Sequence, residues 1–205
     1  MMLTIDPGEP EEWLIGRVAH MLRRGGLVVL PTDTVYAFAC VAFNPAAVER
    51  LYRVKGLKPA KHLSLLVADI ASAARFARNI SNPVFRMMRR VLPGPYTFIF
   101  EATGEVPRVM LRKRRTVGIR LADCPILQAI IAKVEEPLIC SSALNAEDEW
   151  LIDPATIEDR VGGEVDFVVD GGLLLNEVST IVDFSGDTPV VVREGKGDVA
   201  ALGLV

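Results

Sequence analysis

Short apolar runs rich in β-branched residues alternate with amphipathic segments along nearly the whole 205-residue chain, and this alternation limits the fold more than any other feature. Runs at 27–30, 35–43, 63–67, 96–101, 116–121, 137–141, 165–169, 179–184 and 189–193 read as strands. Helices are expected at 10–24, 45–54, 69–78, 83–91, 125–134 and 154–160. Those at 45–54, 83–91 and 125–134 begin with proline in Asn44-Pro45, Asn82-Pro83 and Cys124-Pro125, because proline lacks only an amide that a first turn leaves unpaired anyway. In the first helix Trp13, Leu14, Val18, Met21 and Leu22 fall on one face, and Gly25-Gly26 ends it. Strands interleaved with helices imply one open sheet covered by helices, hence an α/β fold in a single domain over 1–205. The last strands lie too close together for helical crossovers, so part of a twisted, mixed sheet should be antiparallel. A doubly wound nucleotide fold is not expected: the dinucleotide fingerprint is missing, and Gly195-Lys196-Gly197 is too short for a P-loop.

Composition narrows the class. Hydrophobic residues make up 50% of the chain and aromatics 6%, which suits a packed globular protein and not a disordered one. No uninterrupted apolar run reaches the length of a membrane span, and an acidic start (Asp6, Glu9, Glu11, Glu12) does not read as a signal peptide. Cys40, Cys124 and Cys140 are odd in number and far apart, which fits reduced thiols in a cytoplasm. His20 and His62 are the two histidines, and no Cys/His cluster has the spacing of a zinc site. The net charge of −3 conceals a division: from Arg75 to Arg120 there are 11 basic residues against two acidic ones, and from Ala146 to Val205 three against 14. Such a basic segment attracts phosphate-bearing partners, a nucleotide, RNA or both.

Several local segments carry candidate chemistry. Pro31-Thr32-Asp33-Thr34-Val35-Tyr36 follows a strand end, where α/β sheets usually present ligand contacts, although an ordinary turn would use the same residues. Pro93-Gly94-Pro95 can be a rigid turn alone. Arg120 sits in an apolar run, where its guanidinium requires a partner, either a ligand carboxylate or phosphate or a neighbouring acid. Arg193, after Val190-Val191-Val192, raises the same choice.

In order, Gly26 to Tyr36 with its P-T-D-T loop, Leu92-Pro93-Gly94-Pro95-Tyr96-Thr97, Val117-Gly118-Ile119-Arg120 followed by Asp123-Cys124-Pro125, and Asp170-Gly171-Gly172 leading to Ser179-Thr180-Ile181-Val182-Asp183 and Val192-Arg193-Glu194-Gly195 resemble the YrdC/TsaC family of threonylcarbamoyl-AMP synthases. The resemblance spans about residues 10–197 and implies a YrdC-like fold with a basic concave cleft. It implies that Thr32, Thr34, Tyr36, Thr97 and Arg120 face a threonine-like substrate, with Arg120 on its carboxylate. Lys55 and Lys61 would face phosphates and act with Arg120 in catalysis, while Ser142, Ser179 and Arg193 would complete the nucleotide site. The reaction implied is attack of an N-carboxylated amino acid on the α-phosphate of ATP. ATP with Mg²⁺ would enter as substrate, with no tightly bound cofactor and no resident metal.

Two departures stand out. Leu57 occupies the arginine position of the family's K-x-R, and Leu144 the asparagine position of its S-x-N, with Asn145 one residue late. Ala37 and Ala39 replace glycines and would narrow the pocket floor. Each lost charged contact is worth about 1.5–3 kcal/mol, so two could lower activity a hundredfold. These features are similar to the YciO-like branch. Two functions remain open: a weak or altered synthase of the tRNA-modification type, and a non-catalytic double-stranded-RNA-binding or nucleotide-sensing protein. The second draws on Arg108, Arg112, Lys113, Arg114 and Arg115, a basic cluster suited to the phosphates of duplex RNA or tRNA.

Overall fold

A computed structural model describes residues 1–57, 63–111, 115–143, 151–175 and 177–204. Among the described residues, ten strands form one mixed sheet. In chain order they are β1 (Met2–Thr4), β2 (Val28–Leu30), β3 (Ala37–Val41), β4 (Ser64–Leu66), β5 (Tyr96–Glu101), β6 (Thr116–Arg120), β7 (Leu138–Ser142), β8 (Phe167–Asp170), β9 (Thr180–Asp183) and β10 (Val190–Arg193). Across the sheet the order is β1-β8-β2-β3-β7-β4-β6-β5-β9-β10. Pairs β1·β8, β2·β8, β4·β6 and β5·β9 are parallel and the others antiparallel, including the closely spaced β9·β10 hairpin that sequence spacing demanded. The short β1 was not expected: three residues at a terminus carry too little periodicity to register.

Each face of the central strands is buried, and the alternation along β3 shows how. Phe38 and Cys40 point into one apolar cluster, while Ala37, Ala39 and Val41 point into the other. The second cluster is closed by α1 (Glu12–Arg23) and α6 (Pro125–Val134), which pack on each other as well as on the sheet. Opposite them the first cluster includes residues of α2 (Pro45–Val54), α3 (Ile70–Phe76), α4 (Asn82–Val91) and α7 (Pro154–Val161). Asn44, Asp69, Ser81 and Asp153 cap α2, α3, α4 and α7 with side-chain oxygens, and proline follows three of these caps within two residues. The one-turn α5 (Arg108–Leu111) stands beside β6.

One expectation about α1 fails. Its buried stripe is Leu14, Ile15, Val18, Ala19 and Leu22, and Trp13 lies 63% exposed. The stripe is rotated by one position because Ile15 and Ala19 fill it; Trp13 instead lies beside the Arg17 guanidinium, 6.0 Å from the ring centre. Ala37 and Ala39 are also not pocket floor. Both are buried in the cluster with α1 and α6, where a small side chain lets the helices approach the sheet.

Helices α1 and α6 do not cover the whole of their face. Toward β10 the same face carries Ser64, Ile99, Gly118, Thr116, Ile181 and Arg193, all only partly buried. The loop between β2 and β3 borders this uncovered stretch, where Lys196 and Arg120 reach Asp33; this is where the concave cleft expected from the sequence would lie.

Candidate functional site

Arg120 closes β6, and its registry partner on β4 is Leu66. Its guanidinium is only 5% exposed and reaches the loop after β2. There Nη2 donates to Asp33 Oδ1 at 2.5 Å, to Thr32 Oγ1 at 3.2 Å and to Thr34 Oγ1. Asp33 is equally buried at its side chain, and its other oxygen accepts the Asp123 amide at 3.0 Å. The threonines are set by the loop itself. Thr32 Oγ1 donates to Val35 O at 2.7 Å and accepts the Thr34 amide at 3.1 Å. Thr34, 3.0 Å from Thr32 Oγ1, is therefore left to donate to it. Thr34 thus turns its lone pairs toward Arg120, while the longer Arg120 contact shares Thr32 Oγ1 with the Thr34 amide and hydroxyl. The P-T-D-T loop is an arginine cradle, and the acidic neighbour allowed for at the sequence level is real. Nε of Arg120 is buried with no hydrogen-bond partner among the described residues.

A second cluster lies at the same level of the sheet. Thr97 at the start of β5 and Ser179 just before β9 are both buried, their hydroxyls 3.0 Å apart. Arg193 ends β10 and donates from Nε and Nη2 to Ser179 O at 3.1 and 2.8 Å, and from Nη2 to Ser179 Oγ at 3.2 Å. Burial, and then the positive charge of Arg120, hold the Arg193 pKa below its ordinary value. Two partly desolvated guanidiniums that feel each other favour an anion between or beside them.

The third cluster is at the end of β7. Lys55 caps α2, and its Nζ donates to Ser141 Oγ at 2.9 Å and to the carbonyl of Ser142, 5.4 Å from the centre of the Phe38 ring. Lys55 and half-buried Ser142 are thus brought together, but through the serine backbone. Lys61, Leu144 and Asn145 lie outside the described residues. Leu57 packs against the apolar cluster opposite α1 and α6, so the departure from K-x-R has a structural use.

Tyr36 departs from its expected place. It is completely buried, its hydroxyl donating to Gly172 O at 2.7 Å and accepting the Gly171 amide at 3.1 Å. Burial pushes its pKa up to about 12. With donor and acceptor both spent on backbone, Tyr36 pins the loop after β8 and has no hydroxyl left for a substrate. Of the proposed RNA contacts, Arg108 on α5 and Arg115 are exposed; Arg112, Lys113 and Arg114 lie outside the described residues. No group of three His, Cys, Asp or Glu side chains among the described residues could hold a metal ion. No helix there is long and apolar enough to cross a membrane.

Sequence reasoning missed Asp33, which was read only as part of a turn. An acid flanked by two threonines opposite an arginine in a strand was the available signal. It also missed Lys196, set aside with the failed P-loop match. Its amine donates to the Asp33 carbonyl at 2.7 Å, so the loop after β10 reaches across to the Arg120 cradle.

Taken together, fold and site define an α/β protein with Arg120 and Arg193 held by side chains and backbone on one face of a mixed sheet. The chain belongs to the Sua5/YciO/YrdC family: the family model, described as "Telomere recombination", matches residues 20–195. It is 38% identical to YciO of Escherichia coli (strain K12) over 95% of both chains. A crystal structure of Escherichia coli YciO superposes with a TM-score of 0.92, covering 98% of each chain. The chain is also 28% identical to a threonylcarbamoyl-AMP synthase of Pyrococcus abyssi over 90% of its own length, and it spans 55% of that longer protein. The structure of Pyrococcus abyssi Sua5 complexed with L-threonine matches with a TM-score of 0.90 at 27% identity, over 95% of this chain and 57% of that one.

Proposed function

We propose that this cleft binds a nucleotide together with a threonine-like amino acid and slowly joins them, as a threonylcarbamoyl-AMP synthase does. The observation that carries the reading is Arg120: a buried guanidinium, oriented by Thr32, Asp33 and Thr34, whose Nε has no hydrogen-bond partner among the described residues. A planar donor fixed in this way suits a carboxylate or carbamate oxygen. The relatives support the substrate pair, since one is named a threonylcarbamoyl-AMP synthase and one Sua5 structure holds L-threonine.

The chemistry asks little of proton transfer. A carbamate oxygen of the N-carboxylated amino acid attacks the α-phosphorus of ATP, and the bond to the bridging oxygen breaks to release pyrophosphate. The nucleophile is already an anion, so positioning and charge neutralisation must supply the rate. Arg120 would orient the amino-acid part, and Arg193, held by Ser179, whose hydroxyl also meets Thr97, would face the nucleotide phosphates. Lys55 would have to trade its contacts on Ser141 and Ser142 for phosphate oxygens. Lys61 remains in this proposal on sequence grounds. Magnesium would arrive as part of the nucleotide substrate, held chiefly by phosphate oxygens and water.

Incubation of the purified protein with ATP, L-threonine and bicarbonate, followed by pyrophosphate release, tests the reading. Slow release that needs all three components and is lost in Arg120→Met supports it; no release, with none restored by Leu57→Arg and Leu144→Asn together, overturns it. Exposed Arg108 and Arg115 keep duplex RNA or tRNA as a second reading. Changing Arg108, Arg112, Arg114 and Arg115 together to Ala would then weaken duplex binding at low salt, and unchanged binding would remove that reading.

A further inference from the structure

The loop after β10 has a construction that the proposed reaction does not yet explain. Its backbone is locked on both sides of Lys196. The Gly195 amide donates to Thr180 Oγ1 at 3.0 Å, and that hydroxyl donates to Gly197 O at 2.6 Å. Thr180 itself is fully buried. Between these contacts the Lys196 amide donates to Val178 O at 2.8 Å. A side chain at Gly195 would run into the Val178 carbonyl, and one at Gly197 would lie 2.5 Å from the Tyr96 ring. Both glycines are therefore required by close approach, and the chain passes Lys196 with almost no freedom in its backbone.

The side chain, in contrast, is exposed and crosses the edge of the cleft to rest on the Asp33 carbonyl at 2.7 Å. A backbone carbonyl offers an ammonium one neutral acceptor and no opposite charge. The Asp33 carboxylate next to it is already committed to Arg120 and to the Asp123 amide. Asp198 is turned away, its Oδ1 accepting the Ala200 amide at 2.9 Å, and Glu194 is exposed. Arg120, Arg193 and Lys196 are thus gathered near the Asp33 carboxylate, which is spent on Arg120.

We propose that Lys196 is a phosphate-binding side chain of this cleft, parked on the Asp33 carbonyl until a polyphosphate arrives and then transferred to its oxygens. This deepens, and rests on, the reading of the cleft as a nucleotide site. The rigid loop sets the distance, and the four-carbon stem lets the amine exchange one acceptor for a charged one. Because the contact with Asp33 is a single exposed hydrogen bond, giving it up costs little, while the bond gained is charge-assisted on both sides.

The test uses calorimetric titration of the full chain with ATP and, separately, with inorganic tripolyphosphate, for the parent, Lys196→Met and Lys196→Arg. Lys196→Met should weaken tripolyphosphate and ATP about tenfold, Lys196→Arg should restore most of the loss, and the melting temperature without ligand should stay within about 2 °C. Adenosine without phosphates should show no difference between parent and variant. If the parent binds ATP and Lys196→Met binds it equally well, the Lys196 assignment is overturned while the nucleotide reading stands. If the parent binds tripolyphosphate through Lys196 but forms no adenylate, the assignment stands and the synthase reading fails. Binding of neither ligand by the parent overturns both.

Discussion

Replacing Asp33 with Asn tests the cradle at its tightest point. The substitution keeps the shape and leaves an oxygen that can still accept the Asp123 amide. It removes the charge that sits 2.5 Å from Arg120 Nη2, where both side chains are about 6% exposed. Breaking one half of a buried ion pair typically costs 3–5 kcal/mol because the surviving charge is stranded. The two threonine hydroxyls still accept from Arg120, so the lower end, about 3 kcal/mol, is expected. With a urea slope of about 2 kcal/mol per molar, the unfolding midpoint should fall by about 1.5 M. A double-mutant cycle separates this from general damage. In an Arg120→Met background the Asp33→Asn change should cost less than about 1 kcal/mol, since no charge is left to strand. A full loss in that background, or a loss under about 0.5 kcal/mol in the parent, would refute the argument that Asp33 exists to hold Arg120.

Other consequences can be measured with the same purified protein. Glu135, the residue after α6, has a φ of 62°, so Glu135→Gly should raise stability by about 1 kcal/mol in urea unfolding. Phe98 is fully buried between Tyr96 and Phe184, and Phe98→Ala should lose about 3–5 kcal/mol by the same measure. Trp13→Gln, on the exposed side of α1, should stay within about 0.5 kcal/mol. Burial pushes the Cys40 thiol up to about 12 and the Cys140 thiol to about 11, from an ordinary value near 9. Both stay protonated when folded, so the stability they contribute is complete below about pH 9 and is lost as pH rises toward 11–12. All three buried thiols should resist a thiol reagent at pH 8 and react only in denaturant; fast reaction in the native protein would contradict their burial.

Periodicity located the elements of this fold well, because the central strands are buried on both faces and α2, α4 and α6 begin at Asn-Pro or Cys-Pro. It could not give the strand order. Nothing in the local sequence says that β7 inserts between β3 and β4, a choice made by long-range packing of two clusters. Arg120 was legible as a residue in need of a partner: a guanidinium in an apolar strand forces one, and Asp33 supplies it. What stayed hidden was the direction of contacts. Tyr36 shares a motif with Thr32 and Thr34, yet the alternation of side chains sends it to the opposite cluster and onto Gly171 and Gly172. Lys196 could not be placed from its neighbours in sequence, since its partner is 163 residues away.

The most direct measurement of the central claim is calorimetry of ATP binding in the presence and absence of L-threonine and bicarbonate. The account predicts one nucleotide site per chain, weakened by Arg193→Met, with amino-acid binding abolished by Arg120→Met. A parent protein that takes up neither ATP nor L-threonine, alone or together, would contradict it.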